Sequence, residues 1–114
     1  MKSLNQIQLI GHVGNDPEFK ESNGTVFSKF RLATDEGWTD KKTNEKHENT
    51  EWHRIVCFSG LGEVVKNYVK KGARIYISGK LTTSIWKDKN NETRHTTEII
   101  ADNIIMLDGK KSTE

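Results

Sequence analysis

One stretch of ten residues, 49–58 (NTEWHRIVCF), constrains the fold of this chain more than any other. Its second half is rich in β-branched and aromatic residues, which predicts a β-strand. Side chains alternate between the two faces of a strand, so Ile55 and Cys57 share a face that suits a hydrophobic core. Trp52, Arg54, Val56 and Phe58 share the opposite face. Flat rings there flank a fixed positive charge, a combination that binds the bases and phosphates of single-stranded nucleic acids.

A core interpretation of the same rings stays open at this point. Trp and Phe at alternate positions are core residues more often than binding surfaces, by roughly two to one on burial statistics. The other two tryptophans bear on the choice. Trp38 lies alone in the polar segment 35–49, which is typical of a functional or disordered loop, and its ring either folds back or awaits a flat partner. Trp86, by alternation, shares a face with Lys80, Thr82 and Ser84 rather than with the apolar side of its strand.

The composition narrows the class of protein further. A net charge of +2, from 18 basic and 16 acidic residues, means that a nucleic-acid interface would be a local groove rather than a generally basic surface. A length of 114 residues with 32% hydrophobic content suits one small β barrel. We find no apolar run long enough to span a membrane and no signal or transit pattern, and a single cysteine fits a reducing compartment. We therefore expect one domain in the cytoplasm, with no membrane segment.

The order of the predicted elements indicates the fold class. The elements are strands at 7–13, 26–34, 52–58, 74–86 and 93–100, an extended stretch from Phe19 that breaks at 22–24, and a helix at 61–72. Lys29 and Arg31 fall on the solvent face of their strand, and Gly79 suggests a bulge in a later one. Three strands, one helix and two strands form the element order of an OB fold. We therefore expect an all-β protein with one helix, built as a five-stranded Greek-key barrel.

The predicted helix is defined by an apolar stripe at helical spacing and by its end. Two lysines, Lys70 and Lys71, would lie in the last turn, where they suit the helix dipole, and Gly72 would stop the helix. The stripe consists of Leu61, Val64, Val65, Tyr68 and Val69.

Catalysis is not predicted. The four histidines and one cysteine lack metal-ligand spacing, and we see neither a phosphate-binding Gly-Lys-Ser/Thr loop nor a nucleophile motif. The acidic residues are scattered rather than clustered at strand ends, as a two-metal nuclease would need. No cofactor and no metal are expected. Two other classes stay open, a protein-interaction module, since OB folds host many functions, and an RNA binder of the cold-shock type.

The motifs Thr-Glu-Trp-His-Arg at 50–54, Leu-Ala-Thr at 32–34 and Tyr-Val-Lys-Lys-Gly at 68–72 closely resemble those of bacterial single-stranded DNA-binding protein. The opening Gly-His-Val-Gly-Asn-Asp-Pro-Glu at 11–18 and Thr-Thr-Glu at 96–98 are similar as well. The resemblance covers about 5–107 and implies an OB-fold domain at 1–107, a homotetramer, and a role in replication, recombination and repair at the nucleoid.

The resemblance also implies roles for particular residues. It makes Trp38, Trp52, Phe58 and Trp86 the stacking platforms, places Arg54 and Lys71 near the DNA backbone, and places His53 and the first strand, with Ile7 and Leu9, at the subunit contact. With the basic residues read from the strand pattern, the predicted interface with single-stranded DNA comprises Lys29, Arg31, Trp38, Trp52, Arg54, Phe58, Lys71, Lys80, Trp86 and Lys87.

Two departures from the family pattern shape what we expect. The stretch 82–85 reads Thr-Thr-Ser-Ile where members often carry Arg or Lys, so fewer phosphate contacts are expected near Trp86. The residues 108–114 form a short polar tail, where the family usually continues into a Gly/Pro/Gln-rich linker and an acidic, Phe-ended tip that recruits other proteins. We therefore expect this 114-residue chain to coat DNA without recruiting replication or repair proteins.

Overall fold

The structure, a computed structural model, describes residues 3–108. The predicted polar tail thus lies outside the described residues, apart from Asp108. The Asp108 side chain accepts a hydrogen bond from the Arg74 amide at 3.0 Å. The elements are β1 (Ile7–Val13), β2 (Glu18–Ser22), β3 (Thr25–Asp35), β4 (Trp38–Thr39), β5 (Lys46–His47), β6 (Thr50–Phe58), α1 (Ser59–Tyr68), β7 (Arg74–Lys87) and β8 (Thr93–Met106).

Five of these strands close into a ring. The hydrogen-bonded order is β1-β7-β8-β6-β3, and β3 returns to β1 through the pairs His12–Ala33 and Val13–Leu32. Strand β2 extends the sheet beyond β3 without joining the ring. All pairings are antiparallel except that of β6 with β8, which is parallel and short, at Ile55–Ile99 and Val56–Ile100. The predicted OB fold with its five-stranded barrel is confirmed.

The core fills the inside of the ring by strand alternation, as the pattern predicts. Ile55 and Cys57 are fully buried, so the core side of β6 is confirmed. Burial raises the pKa of the Cys57 thiol to about 12, because the charged thiolate is disfavoured away from water. The other buried apolar residues in this cluster are Val13, Phe30, Leu32, Val65, Val69, Ile75, Ile77, Ile99 and Ala101.

Helix α1 begins two residues earlier and ends four residues earlier than the prediction of 61–72. After Tyr68 the backbone becomes extended at Val69, which remains buried outside the helix. Lys70 and Lys71 therefore do not lie in the last turn, and that part of the prediction is wrong. The apolar stripe is also narrower than predicted, since Val64 is 36% exposed and Tyr68 is 65% exposed. A local spacing rule cannot detect where tertiary packing redirects the chain.

Strands β7 and β8 run past the barrel as a two-stranded extension, and we call residues 82–97 the arm. Strand β8 continues to Met106, six residues beyond the predicted end at 100. The predicted irregularity at Gly79 is confirmed as a register shift between Ser78 and Gly79. In the polar segment 35–49, a short hairpin of β4 and β5 turns at Asn44, whose φ is 67°.

Candidate nucleic-acid interface

Two arginines face each other on the solvent side of the barrel. Arg31 of β3 and Arg54 of β6 are direct cross-strand partners, and both side chains belong to exposed residues. Among residues 3–108, no carboxylate lies within 4.0 Å of either guanidinium group. Like charges directly opposite one another destabilise a strand pair. This arrangement therefore favours an anion that bridges the two side chains.

Trp52 stands beside this pair with its ring half exposed, at 51%. The guanidinium carbon of Arg31 lies 5.4 Å from the ring centroid, within the range of a cation–π contact. Gly14, in the turn after β1, lies so close to the ring that an added Cβ would come within 2.2 Å of it. The ring is thus held in position while much of its surface remains open. Trp52 is not a core residue, so the core interpretation of this ring is wrong.

Phe58 extends the same surface at the other end of β6. It is 44% exposed and pairs with Phe27 across the strands, with ring centroids 5.9 Å apart. The Lys29 ammonium lies 5.9 Å from the Phe27 centroid, whereas Val56, on the same face, is buried beneath this layer. We call Phe27, Lys29, Arg31, Trp52, Arg54 and Phe58 the β3–β6 face. Phe27 is absent from the predicted interface, although its spacing of two and four residues from Lys29 and Arg31 places it on the same face of the strand.

Trp86 lies on the arm and is 48% exposed. Its indole Nε1 donates a hydrogen bond of 2.8 Å to the Thr96 hydroxyl on the neighbouring strand, which fixes the orientation of the ring. Lys80 lies on β7 before the arm, opposite Ile100, and Lys87 lies at its outer end, opposite Thr93. Both lysines are exposed, so the arm and its base carry the predicted ring and two of the predicted cations.

The outer end of the arm is organised by Asp88. Its carboxylate accepts hydrogen bonds from the Asn90 and Glu92 amides, at 2.9 and 3.0 Å, and from Arg94 Nε at 2.8 Å. The pKa of Asp88 is lowered below its usual value, mainly by the hydrogen bond from Arg94 and further by the amide donors. Since the deprotonated carboxylate accepts these bonds, the turn that follows Trp86 is ordered at neutral pH.

A cleft separates the beginnings of β6 and β8. The two strands pair only from Ile55 and Ile99 onward, so they diverge toward their N-terminal ends. Trp52 and Arg54 line one side of the cleft, and Thr96 and Thr97 line the other. Because Thr96 holds Trp86, this cleft leads from the β3–β6 face to the arm.

Acidic residues at the interface were not anticipated from the sequence. The Glu98 carboxylate lies 3.9 Å from the Lys29 ammonium and is largely buried, at 20% side-chain exposure. Glu18 joins Glu98, Lys29, Arg31 and Arg54 around a surface pocket on this side of the barrel. Strand alternation from the buried Ile99 predicts that Glu98 lies on the solvent face. It does not predict the pairing of Glu98 with Lys29, because Lys29 belongs to a strand that is distant in sequence.

The turn after β1 connects two more of the predicted residues. The Asn15 side chain accepts a hydrogen bond from the Arg31 amide at 2.9 Å, and Asp16 accepts one from the Lys71 amide at 3.0 Å. Lys71 is therefore fixed next to the turn that supports the Trp52 ring. Trp38, in contrast, stands on the separate β4–β5 hairpin and is 57% exposed.

His53 and the first strand lie away from the β3–β6 face. His53 Nε2 lies 3.0 Å from the Thr34 hydroxyl, and the residue is partly buried beside Leu9 and Ile10. Ile7 and Leu9 pack their side chains against the core. Within residues 3–108, we find no group of three or more His, Cys, Asp or Glu that could hold a metal ion. No helix in this part of the chain is long and apolar enough to cross a membrane.

Comparison with known proteins identifies the family. The model of the single-strand binding protein family matches residues 4–107. The single-stranded DNA-binding protein 1 of Xylella fastidiosa is 47% identical over 112 residues, covering 97% of this chain and 82% of that protein. The single-stranded DNA-binding protein of Rickettsia felis is 46% identical over 116 residues, covering 96% and 76%. A chain of the solved structure "Plasmodium falciparum SSB complex with ssDNA" matches with a TM-score of 0.83 and 41% identity, covering 95% and 98%. The chain belongs to the single-strand binding protein family.

Proposed function

We propose that this protein binds single-stranded DNA without sequence preference and protects it during replication, recombination and repair. The observation that carries the proposal is the facing pair Arg31–Arg54, which has no carboxylate within 4.0 Å among residues 3–108 and stands beside the half-exposed ring of Trp52. Phosphates relieve the repulsion between the two guanidinium groups, and bases stack on the ring. In a bacterial cell, such a protein is expected in the cytoplasm, on the nucleoid.

The comparisons support this choice over the other classes. The relatives are named single-stranded DNA-binding proteins, and the matching solved structure is a complex with single-stranded DNA. Trp52 and Trp86, each about half exposed, lie on or near a cationic face, an arrangement that suits bases and phosphates together. A catalytic role has no support in the β3–β6 face, whose rings and guanidinium groups bind rather than transform a ligand.

Tryptophan fluorescence tests the proposed function directly. Bases that stack on Trp52 and Trp86 should quench the emission of the protein, so a thymidine oligomer should lower it in proportion to binding. A hairpin duplex hides the faces of its bases and should bind far more weakly. A uridine oligomer of equal length distinguishes a DNA binder from an RNA binder. Equal affinity for the duplex and the thymidine oligomer, or no quenching at all, would contradict the proposal.

We also propose a homotetramer, as the family resemblance implies, and the first strand offers one of the contacts that it needs. Strand β1 pairs with β7 along Ile7–His12 but meets β3 only at its end, so much of its other edge is unpaired within the described chain. An open edge of this kind favours pairing with a second copy. The side chains available there are outward ones such as Ile10, at 51% exposure, rather than the inward Ile7 and Leu9.

Light scattering at micromolar concentration should give a mass about four times the chain mass of 13.0 kDa. Replacing Ile10 by lysine should shift the mass downward, because the charge would enter the contact between copies. Ile85→Lys is the matched control, since Ile85 is a 68% exposed isoleucine on the arm. A monomer mass for the unaltered protein, or an equal shift for both variants, would contradict the proposed contact.

Arginines introduced at positions 82 and 84 of the arm should change the salt dependence of DNA binding to different extents. Thr82 lies opposite Glu98, whereas Ser84 lies opposite Thr96. An arginine at position 82 would therefore be neutralised by a carboxylate, while one at position 84 would be available to phosphate. Ser84→Arg should steepen the slope of log affinity against log salt by about 0.7, the value for one added phosphate contact. Thr82→Arg should change it less.

Titrations with a thymidine oligomer at several salt concentrations measure these slopes. Combining Thr82→Arg with Glu98→Gln should restore the steeper slope, since the competing carboxylate is then absent. A slope that Ser84→Arg leaves unchanged would mean that the nucleic acid does not pass along this face of the arm.

A further inference from the structure

The β4–β5 hairpin carries an aromatic contact that the β3–β6 face does not explain. Trp38 and His47 are direct cross-strand partners, and their rings stack with centroids 4.3 Å apart and planes inclined by 16°. The hairpin is closed by backbone hydrogen bonds from Asp40 to Glu45 and from Asn44 to Asp40, at 2.8 and 2.7 Å. It forms a sheet of its own, separate from the barrel sheet.

Apart from hydrogen bonds of this kind, the four residues of β4 and β5 have no buried side chain to order them. A two-stranded sheet with no core beneath it is marginally stable at best in water. Both residues of β4 and both residues of β5 are exposed. The stack between the indole and the imidazole is therefore the main side-chain contact that can fix the orientation of Trp38.

The stack also determines which side of the indole is available. Trp38 retains 57% exposure although the imidazole lies against one of its faces. Because the two faces contribute most of an indole's surface about equally, the exposed fraction belongs largely to the opposite face. A flat ring with one face covered by the protein and the other open can accept one base.

We propose that His47 is a positioning residue that holds Trp38 as a preformed, one-sided stacking platform for a single base. This inference rests on the proposed function, because it needs a nucleic acid to bring the base. The bound arrangement is a three-layer stack in which base, indole and imidazole lie in that order. Ordering the ring before binding removes a cost that a freely rotating side chain would incur on binding.

The charges of the hairpin are balanced without His47. Residues 40–48 contain three lysines (41, 42 and 46) and three acidic residues (40, 45 and 48). The nearest acidic group to the imidazole is Glu45, whose Oε1 lies 3.9 Å from His47 Nε2. The hairpin therefore carries no net charge of its own, and the role proposed for it rests on the stacked rings.

Emission from Trp38 alone tests the contact without DNA. Replacing Trp52 and Trp86 by phenylalanine leaves Trp38 as the only tryptophan of the three in the chain. Because the imidazole covers one face of the indole, a soluble collisional quencher such as acrylamide reaches mainly the other face. His47→Ala should therefore raise the quenching constant, and His12→Ala, on the barrel, should leave it unchanged.

Binding of a thymidine oligomer tests the role. With all three tryptophans present, His47→Ala should weaken binding by about three- to tenfold, the effect of losing one aromatic pair. His47→Phe should restore it, since a ring again covers the indole. In a Trp38→Ala background, His47→Ala should have no further effect, because there is no longer a ring to position.

Failure of this inference is distinguishable from failure of the proposed function. If the unaltered protein does not bind the oligomer, the proposed function fails, and the quenching of Trp38 by acrylamide still reports whether the stack exists. If the unaltered protein binds, three results would each overturn the positioning role. These are normal affinity for His47→Ala, no rescue by His47→Phe, and an equal effect of His47→Ala with and without Trp38.

Discussion

Replacing Trp52 and Trp86 together by alanine is expected to weaken binding of a thymidine oligomer by about 2–6 kcal/mol. Each lost stack between a base and an aromatic ring costs about 1–3 kcal/mol. The two rings stand on different elements, one supported by Arg31 and Gly14 and the other held by Thr96, so their contributions should largely add. The single variants and the double variant, titrated under one salt condition, measure both the size and the additivity of the effect.

The fold should tolerate these substitutions, because both rings are about half exposed, at 51% and 48%. Urea unfolding checks this on the same samples. Ile85→Ala is the matched control, since Ile85 is the neighbour of Trp86 on the opposite face of the arm and is 68% exposed. Normal binding by the alanine variants together with a large loss of stability would show that the rings serve the core rather than the ligand.

Gly11→Ala is expected to lower the free energy of unfolding by about 3 kcal/mol or more. Gly11 lies in β1 next to the seam where β3 closes the ring, and a Cβ added there would come within 2.2 Å of the Ala33 carbonyl oxygen. Backbone cannot yield as a flexible side chain can, so β1 and β3 would have to separate. Inserting atoms into packed regions typically costs about 1–3 kcal/mol, and a clash with backbone belongs at the upper end.

Urea unfolding at one fixed protein concentration measures this effect. Gly60→Ala serves as the control, because Gly60 is in α1 and a Cβ there would meet nothing within 4 Å. It should be neutral or stabilising, by up to about 1 kcal/mol, since alanine favours a helix over glycine. Equal stability of the two variants would show that the seam is not closely packed at Gly11.

Much of the barrel could be predicted from local patterns. The first strand, at 7–13, has the predicted bounds, and alternation placed Ile55 and Cys57 in the core and Trp52 outside it. These predictions succeed because a strand with one buried face repeats every two residues, and the repeat is visible in the sequence itself.

The remaining features depend on contacts between distant segments. The Lys29–Glu98 pair joins β3 to β8, and the helix end is set where Val69 turns into the core. Trp38 stacks on His47 only in one register of the β4–β5 hairpin. The turn residue Asn44 does not by itself determine that register. The DNA-contacting roles of the individual rings and cations remain predictions, because stacking and ion pairing with DNA depend on the path of the strand across the surface.

The Cys57 side chain packs in the core, and its burial also lowers the reactivity of its thiol. Thiolate is the form that reacts with oxidants and alkylating reagents, and a pKa raised to about 12 keeps the thiol protonated at neutral pH. Oxidative damage to this cysteine must therefore wait until the barrel opens. The same shielding makes Cys57 a natural reporter, because the rate at which a thiol reagent labels it measures how often the barrel unfolds, with and without DNA bound.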